Sequence, residues 1–160
     1  MAVHKLILED VFEDVSSTLI AIHCTIEDYR LAYLINKFLN ISLIRKKDDI
    51  DFNGSTKYSI FEYEDPKKLV TWNLVSNICK IETYSKLNTQ SLFSTNQKVI
   101  RTYNLVPEYG KVNYFLKINY AFSDDKEKQI VNAIHKIPQV AMVYHVEMSL
   151  LKSKDNLIFD

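Results

Sequence analysis

The sequence predicts an α+β protein. Two amphipathic helices lie on one face of a mostly antiparallel sheet, as a ferredoxin-like plait with extra central strands. Three observations predict it. Two strand–helix–strand units bracket the chain, at about 18–45 and 112–149. Between them the apolar pattern is that of strands alone, punctuated by turn residues. Each helical stretch carries an apolar stripe that must be buried, and one shared sheet can bury both. Each unit is expected to cross over in the right-handed sense. Several strands show one polar face, which leaves the second face of the sheet open for water, a second subunit or a ligand.

Composition sets the bounds. The 160 residues, 47% of them hydrophobic with 10 Tyr and 8 Phe, suffice for one domain with a core. The whole chain 1–160 reads as that single domain, with 1–17 an N-terminal arm and 152–160 a C-terminal tail. Twenty basic residues balance twenty acidic ones, which argues against general nucleic-acid binding, where a basic excess is normal. Cys24 and Cys79 lie far apart, as suits thiols in a reducing cytosol better than a disulfide framework. The acidic Glu9, Asp10, Glu13 and Asp14 do not fit an export signal. No apolar run approaches the roughly 18 residues of a membrane helix. A cytoplasmic protein without a membrane partner is expected.

In chain order, Thr18–Cys24 is apolar almost throughout and reads as a buried central strand. Thr25 with Asp28 forms a weak capping box, and Glu27 and Asp28 suit the positive end of a helix. Leu31, Leu34, Ile35, Phe38 and Leu39 then make a helical stripe, closed by Asn40. Ile41–Arg45 is a strand, and 46–52 a solvated edge whose charges neutralise one another. Asn53-Gly54 turns the chain into the alternating Tyr58–Tyr63, and Asp65-Pro66 turns it again. Leu69–Ile81 is rich in strand, the polar stretch 83–97 is the most mobile loop, and Val99–Leu105 returns to strand. Ser123 caps a second helix with Ile130, Ala133, Ile134 and Ile137 as its stripe, stopped by Pro138. Val140, Met142, Tyr144, Val146 and Met148 share a face of the last strand. Leu157, Ile158 and Phe159 make the tail apolar, which suggests docking on the domain or on a partner.

The stretch Val106–Ile118 anchors this plan. Pro107 fixes its own φ and pushes Val106 toward extended geometry. Gly110 completes a turn by taking positive φ. Val112, Tyr114, Leu116 and Ile118 then share one face of a strand, with Asn113, Phe115, Lys117 and Asn119 on the other. Two readings fit: a hairpin corner that feeds a core strand, or a polar site in which Glu108 and Asn113 lie beside Tyr109 and Tyr114. The corner explains the pattern with fewer assumptions.

Val106-Pro107-Glu108, three residues, then Val112-Asn113-Tyr114 resembles the signature that names the IPExxxVDY family of small bacterial proteins. Met1–Leu6, Ile26–Tyr33 and Leu151–Phe159 are similar to the same family, so the resemblance covers nearly the whole chain. Val106 stands in place of Ile and Asn113 in place of Asp, and the second change removes a carboxylate. The resemblance implies a bacterial, cytoplasmic protein and implies no activity.

Few residues offer chemistry. His4, His23, His135 and His145 show no close metal-ligand spacing, and the cysteines form no Cys-x-x-Cys pair. His23 and Cys24 are adjacent on one strand and point to opposite faces. Gly54 and Gly110 are too few for a phosphate cradle. Glu27, Asp28, Tyr29 and Arg30 cluster at a helix start, where capping and a surface ion pair explain them more simply than a carboxylate–Arg site. Glu108 as a general base would need a cleft and a raised pKa. Arg101, Tyr103, Phe115 and Lys117 could stack RNA bases on a plait, although the glycine-aromatic run of an RNA-recognition motif is absent. No catalytic, cofactor or metal residue is assigned. The expected function is a non-enzymatic protein-interaction or self-association module, partnered by a second copy or another protein. A small-ligand or RNA-binding regulatory domain is the alternative. Pro107, Glu108, Asn113, Tyr114, Glu27, Asp28, Tyr29 and Arg30 are the candidate interaction residues.

Overall fold

The computed structural model describes residues 17–85 and 97–159. The expected N-terminal arm and most of the polar stretch 83–97 lie outside the described residues. Six strands make one sheet: β1 (Thr18–Cys24), β2 (Ile44–Arg45), β5 (Ile60–Asp65), β6 (Val70–Ser76), β9 (Tyr114–Ile118) and β10 (Val140–Val146). Their order is β10-β1-β9-β6-β5-β2, and every neighbouring pair is antiparallel. Two further hairpins pair β3 (Ile50–Phe52) with β4 (Thr56–Tyr58), and β7 (Ile78–Ser85) with β8 (Gln97–Asn104). The helices are α1 (Asp28–Leu39) and α2 (Asp124–His135).

Both helices pack against one face of the sheet. Leu31 and Ile35 of α1, with Ile130 and Ile134 of α2, share a buried cluster with Ile20, Ile22, Leu74, Leu116 and Ile118. This is the α+β arrangement that the stripes predict. Ser123 caps α2, its Oγ accepting from the Lys126 N–H at 3.4 Å. Asn40 closes α1 in left-handed geometry at φ 54, also as expected. The Thr25–Asp28 capping box does not form. The N-cap is Glu27, which makes no side-chain cap bond, and the Asp28 carboxylate accepts from the Tyr29 N–H instead.

The second face of the sheet is not open, contrary to the sequence expectation. Leu19, Ala21, Val75, Phe115 and Val146 on that face are buried beneath Val106, Val112, Tyr58, Met148, Leu151 and Leu157. The covering groups come from the Pro-Glu corner, from β4 and from the chain end. The cause is visible in β1: Leu19 and Ala21 point one way while Ile20 and Ile22 point the other, and all four have 0% exposure. A central strand that is apolar on both sides needs two covers. The apolar tail therefore docks on its own chain.

Several local expectations change for stated reasons. The Leu69–Ile81 run is two strands, broken at Asn77, and Thr83–Ser85 continue β7 as strand and not as loop. Val112 precedes β9 and joins the second-face cluster, while Tyr114, Leu116 and Ile118 face the helices. Gly110 takes an ordinary φ of −57 within a turn that follows a short 3-10 helix at Pro107–Tyr109. Positive φ is instead needed at Asn53 (63) and Gly54 (69), the tip of β3–β4. In β10, Val140 and Val143 both face the helices, three residues apart, because the pairing with β1 skips Ala141 in a bulge at His23/Cys24. Tyr144 and Val146 then face the other side. The charged 46–52 stretch is only in part the self-neutralising edge expected: Arg45 pairs with Asp49, but Lys46 pairs with Glu62 of β5 at 3.1 Å, and Ile50 and Phe52 belong to β3 and pack on the second-face cluster.

Candidate functional site

The corner is built around a residue the sequence reading did not single out. Asn77 stands between β6 and β7 and has 0% exposure. Its Nδ2 donates to the carbonyls of Tyr109 and Val112, both at 2.9 Å. Its Oδ1 accepts from the Val106 N–H at 2.8 Å. Its backbone N–H donates to Asn113 O, and its carbonyl accepts from the Leu105 N–H, each at 2.9 Å. One buried amide therefore satisfies the irregular backbone that a turn must otherwise leave to water. The only signal in the sequence is a polar amide interrupting an apolar run.

The signature residues fasten this corner to three other parts of the chain. Val106 and Val112 are buried in the second-face cluster. The Glu108 carboxylate reaches the tail, accepting from the Ser153 N–H at 2.8 Å and from Ser153 Oγ at 2.5 Å. The Ser153 hydroxyl, more than any other group, holds this carboxyl below its ordinary pKa. Asn113 Oδ1 accepts from the Cys24 N–H at 3.0 Å, at the β1 bulge. The Tyr114 hydroxyl donates to Ile26 O at 2.7 Å, and burial pushes its pKa up. Glu108 and Asn113 thus bond to different segments. They do not converge on one polar site, and the corner is not a hairpin either: it joins β8 to β9, which pair in different sheets.

At the start of α1, Glu27 and Arg30 form a surface ion pair at 3.7 Å, more than half exposed on both sides. Tyr29 and Tyr33 also face solvent. A shallow cleft of about 340 Å³ lies between Cys24–Ile26, Ser76, Lys80 and Tyr114. Burial raises the Cys24 thiol to about 11, so it stays protonated at neutral pH. The His23 ring lies against Tyr144 on the second-face side, with its Nε2 3.2 Å from the hydroxyl, while Cys24 packs on the helix side. The two do not meet, as their adjacency on one strand requires.

The proposed base-stacking group does not assemble. Phe115 has 0% exposure and is covered by Tyr109, edge-on at 6.3 Å. Lys117 Nζ donates to Leu157 O at 2.7 Å beneath the tail and sits 5.4 Å from the Phe159 ring. Arg101 and Tyr103 lie elsewhere, on β8.

That strand belongs to the feature the sequence reading missed. β7 and β8 pair one-to-one over eight rungs, from Ile78 with Asn104 to Ser85 with Gln97. Cys79 packs against the second-face cluster at the base of this ribbon. Farther along, Tyr84, Val99, Ile100 and Tyr103 are exposed, Tyr84 at 67% and Ile100 at 55%. Part of the signal was present in the β-branched and aromatic residues of Val99–Tyr103, but the partner strand runs on into the polar stretch after Glu82.

Among the described residues, no three His, Cys, Asp or Glu converge as a metal site would require. No helix among them is long and apolar enough to cross a membrane. In comparisons with known proteins, no family model, no curated protein and no solved structure matches the chain.

Proposed function

We propose that this chain is a non-enzymatic protein-interaction module whose β7–β8 ribbon meets the partner. One observation carries the reading: twelve of the sixteen residues of an eight-rung ribbon are exposed, and four large apolar or aromatic side chains on it face water. Two-stranded ribbons gain little stability alone, and apolar groups clustered in solvent mark contact surfaces. Its described residues carry Lys80, Lys98 and Arg101 against Glu82, so an acidic protein surface complements it.

The chain is further proposed as a divergent member of the IPExxxVDY family, and so as a bacterial, cytoplasmic protein. The support is that Val106, Glu108, Val112, Asn113 and Tyr114 all serve one corner. An Asp at position 113 would accept the same bond from Cys24 N–H. A ferredoxin-like plait is proposed for the β10-β1-β9-β6 strands with α1 and α2, the remaining strands being additions. Strand order and antiparallel pairing support it.

A photoreactive residue at Ile100, compared with one at the still more exposed Leu69 of the β5–β6 turn, tests the interaction reading in cells. The expected result is one discrete cross-linked species from position 100, lost in Arg101→Glu. Matching smears, or no cross-link from either site, would overturn it. A second reading has a specific support: Tyr84 and Tyr103 share the ribbon with three cations, the mixture that binds single-stranded RNA. Salt-sensitive binding of oligouridine, lost in Arg101→Glu, would favour that reading instead.

A further inference from the structure

The two edges of the main sheet and the outer edge of the ribbon differ in one respect. β2 ends the sheet after two residues. β10, at the other end, carries the bulge that skips Ala141. Short strands and bulges are the devices by which folds prevent an edge from pairing further. β7 runs beside β4 near the base of the ribbon. Among the described residues, β8 pairs with β7 alone and no other strand lies along its outer edge. It spans eight residues with no proline and no break in register. At about 3.3 Å per residue, that is an open edge of about 26 Å. Its alternate N–H and C=O groups point outward.

We propose that β8 accepts an extended acidic segment of a partner protein as a third strand. The inference rests on the ribbon being the interacting element. The sequence of β8, Gln-Lys-Val-Ile-Arg-Thr-Tyr-Asn, selects the occupant. It contains two cations and no acid. Lys98 lies on one face and Arg101 on the other, each beside apolar neighbours. Lys98 already pairs with Glu82 at 2.8 Å, whereas Arg101 has no ion pair among the described residues. Arg101 is therefore the main determinant of charge selection. A second copy of β8 would bring the same two cations and no compensating carboxylate. RNA would meet the charges and rings but cannot continue a ladder of amide hydrogen bonds, whereas an extended polypeptide does so in register. Adding a strand also supplies what a two-stranded ribbon lacks for independent stability.

The test uses the purified chain, an octapeptide alternating valine and glutamate, its valine–lysine twin, and oligouridine. Amide exchange is followed residue by residue. The glutamate peptide is expected to slow exchange at alternate β8 residues, and the lysine twin to leave them unchanged. Arg101→Glu, on an exposed site that leaves the core intact, should weaken the glutamate peptide about tenfold and admit the lysine twin. Equal protection by both peptides, protection by neither, or a response to oligouridine alone would overturn strand addition. Cross-links from position 100 that persist while the peptides do nothing would remove strand addition and leave the interaction reading standing. Loss of both would remove that reading as well.

Discussion

Asn77 and Glu108 show how much of the corner depends on single side chains. Replacing Asn77 with Ala removes three hydrogen bonds from a site with no access to water. Each buried backbone group left unsatisfied costs about 1–3 kcal/mol, so a loss of about 3 kcal/mol or more is expected in urea unfolding. Wild-type stability in Asn77→Ala would show that the corner does not need its hub. Glu108 makes a pH prediction. Its carboxyl titrates lower in the folded chain than in the unfolded one, because Ser153 bonds to the charged form. The latch therefore contributes stability above the ordinary carboxylate range and loses it as pH falls through the lower folded value. Glu108→Gln should lower the unfolding midpoint at about pH 7, by a margin that shrinks as the pH falls through the carboxyl's lowered folded value. A difference that stays constant across that range would contradict the latch. At this scale the sequence was partly legible. The types of Glu108, Asn113 and Tyr114 marked a special place, but their partners, Ser153, Cys24 and Ile26, lie 45, 89 and 88 positions away. No local pattern encodes such distances.

Among the elements, the helices were the most legible. An apolar stripe with a 3.6-residue period has one explanation, and Ser123 and Asn40 mark ends that side-chain and left-handed geometry enforce. Strand limits were less legible. The break at Asn77 and the bulge beside Cys24 answer to neighbours in space, and a bulge moves residues between faces without any change in composition. The ribbon was hidden for a similar reason: apolar groups on both faces of an exposed hairpin give neither a buried run nor a clean alternation. The tail belongs to this scale too. Leu157, at 0% exposure, anchors it in the second-face cluster, and Lys117 holds the Leu157 carbonyl. Leu157→Ala should destabilise the chain by about 2–5 kcal/mol, read from its denaturant midpoint. A change well under 1 kcal/mol would mean the tail does not cover the sheet in solution.

For the molecule as a whole, a single sheet separates two cores, and the chain supplies both covers. Sequence reasoning found the helical cover and left the other side open, because it judged each strand by its own alternation. The second cover is assembled from β4, the corner and the chain end, pieces too short or irregular to show an amphipathic period. With that face closed and the tail docked on its own chain, the ribbon is the proposed partner surface. Residue-resolved amide exchange on the isolated chain tests this division most directly. Backbone amides in β1, in the corner and in 148–157 should exchange slowly and together, while outward-facing amides of β8 exchange orders of magnitude faster. A tail exchanging as fast as β8, or a β8 as protected as β1, would contradict it.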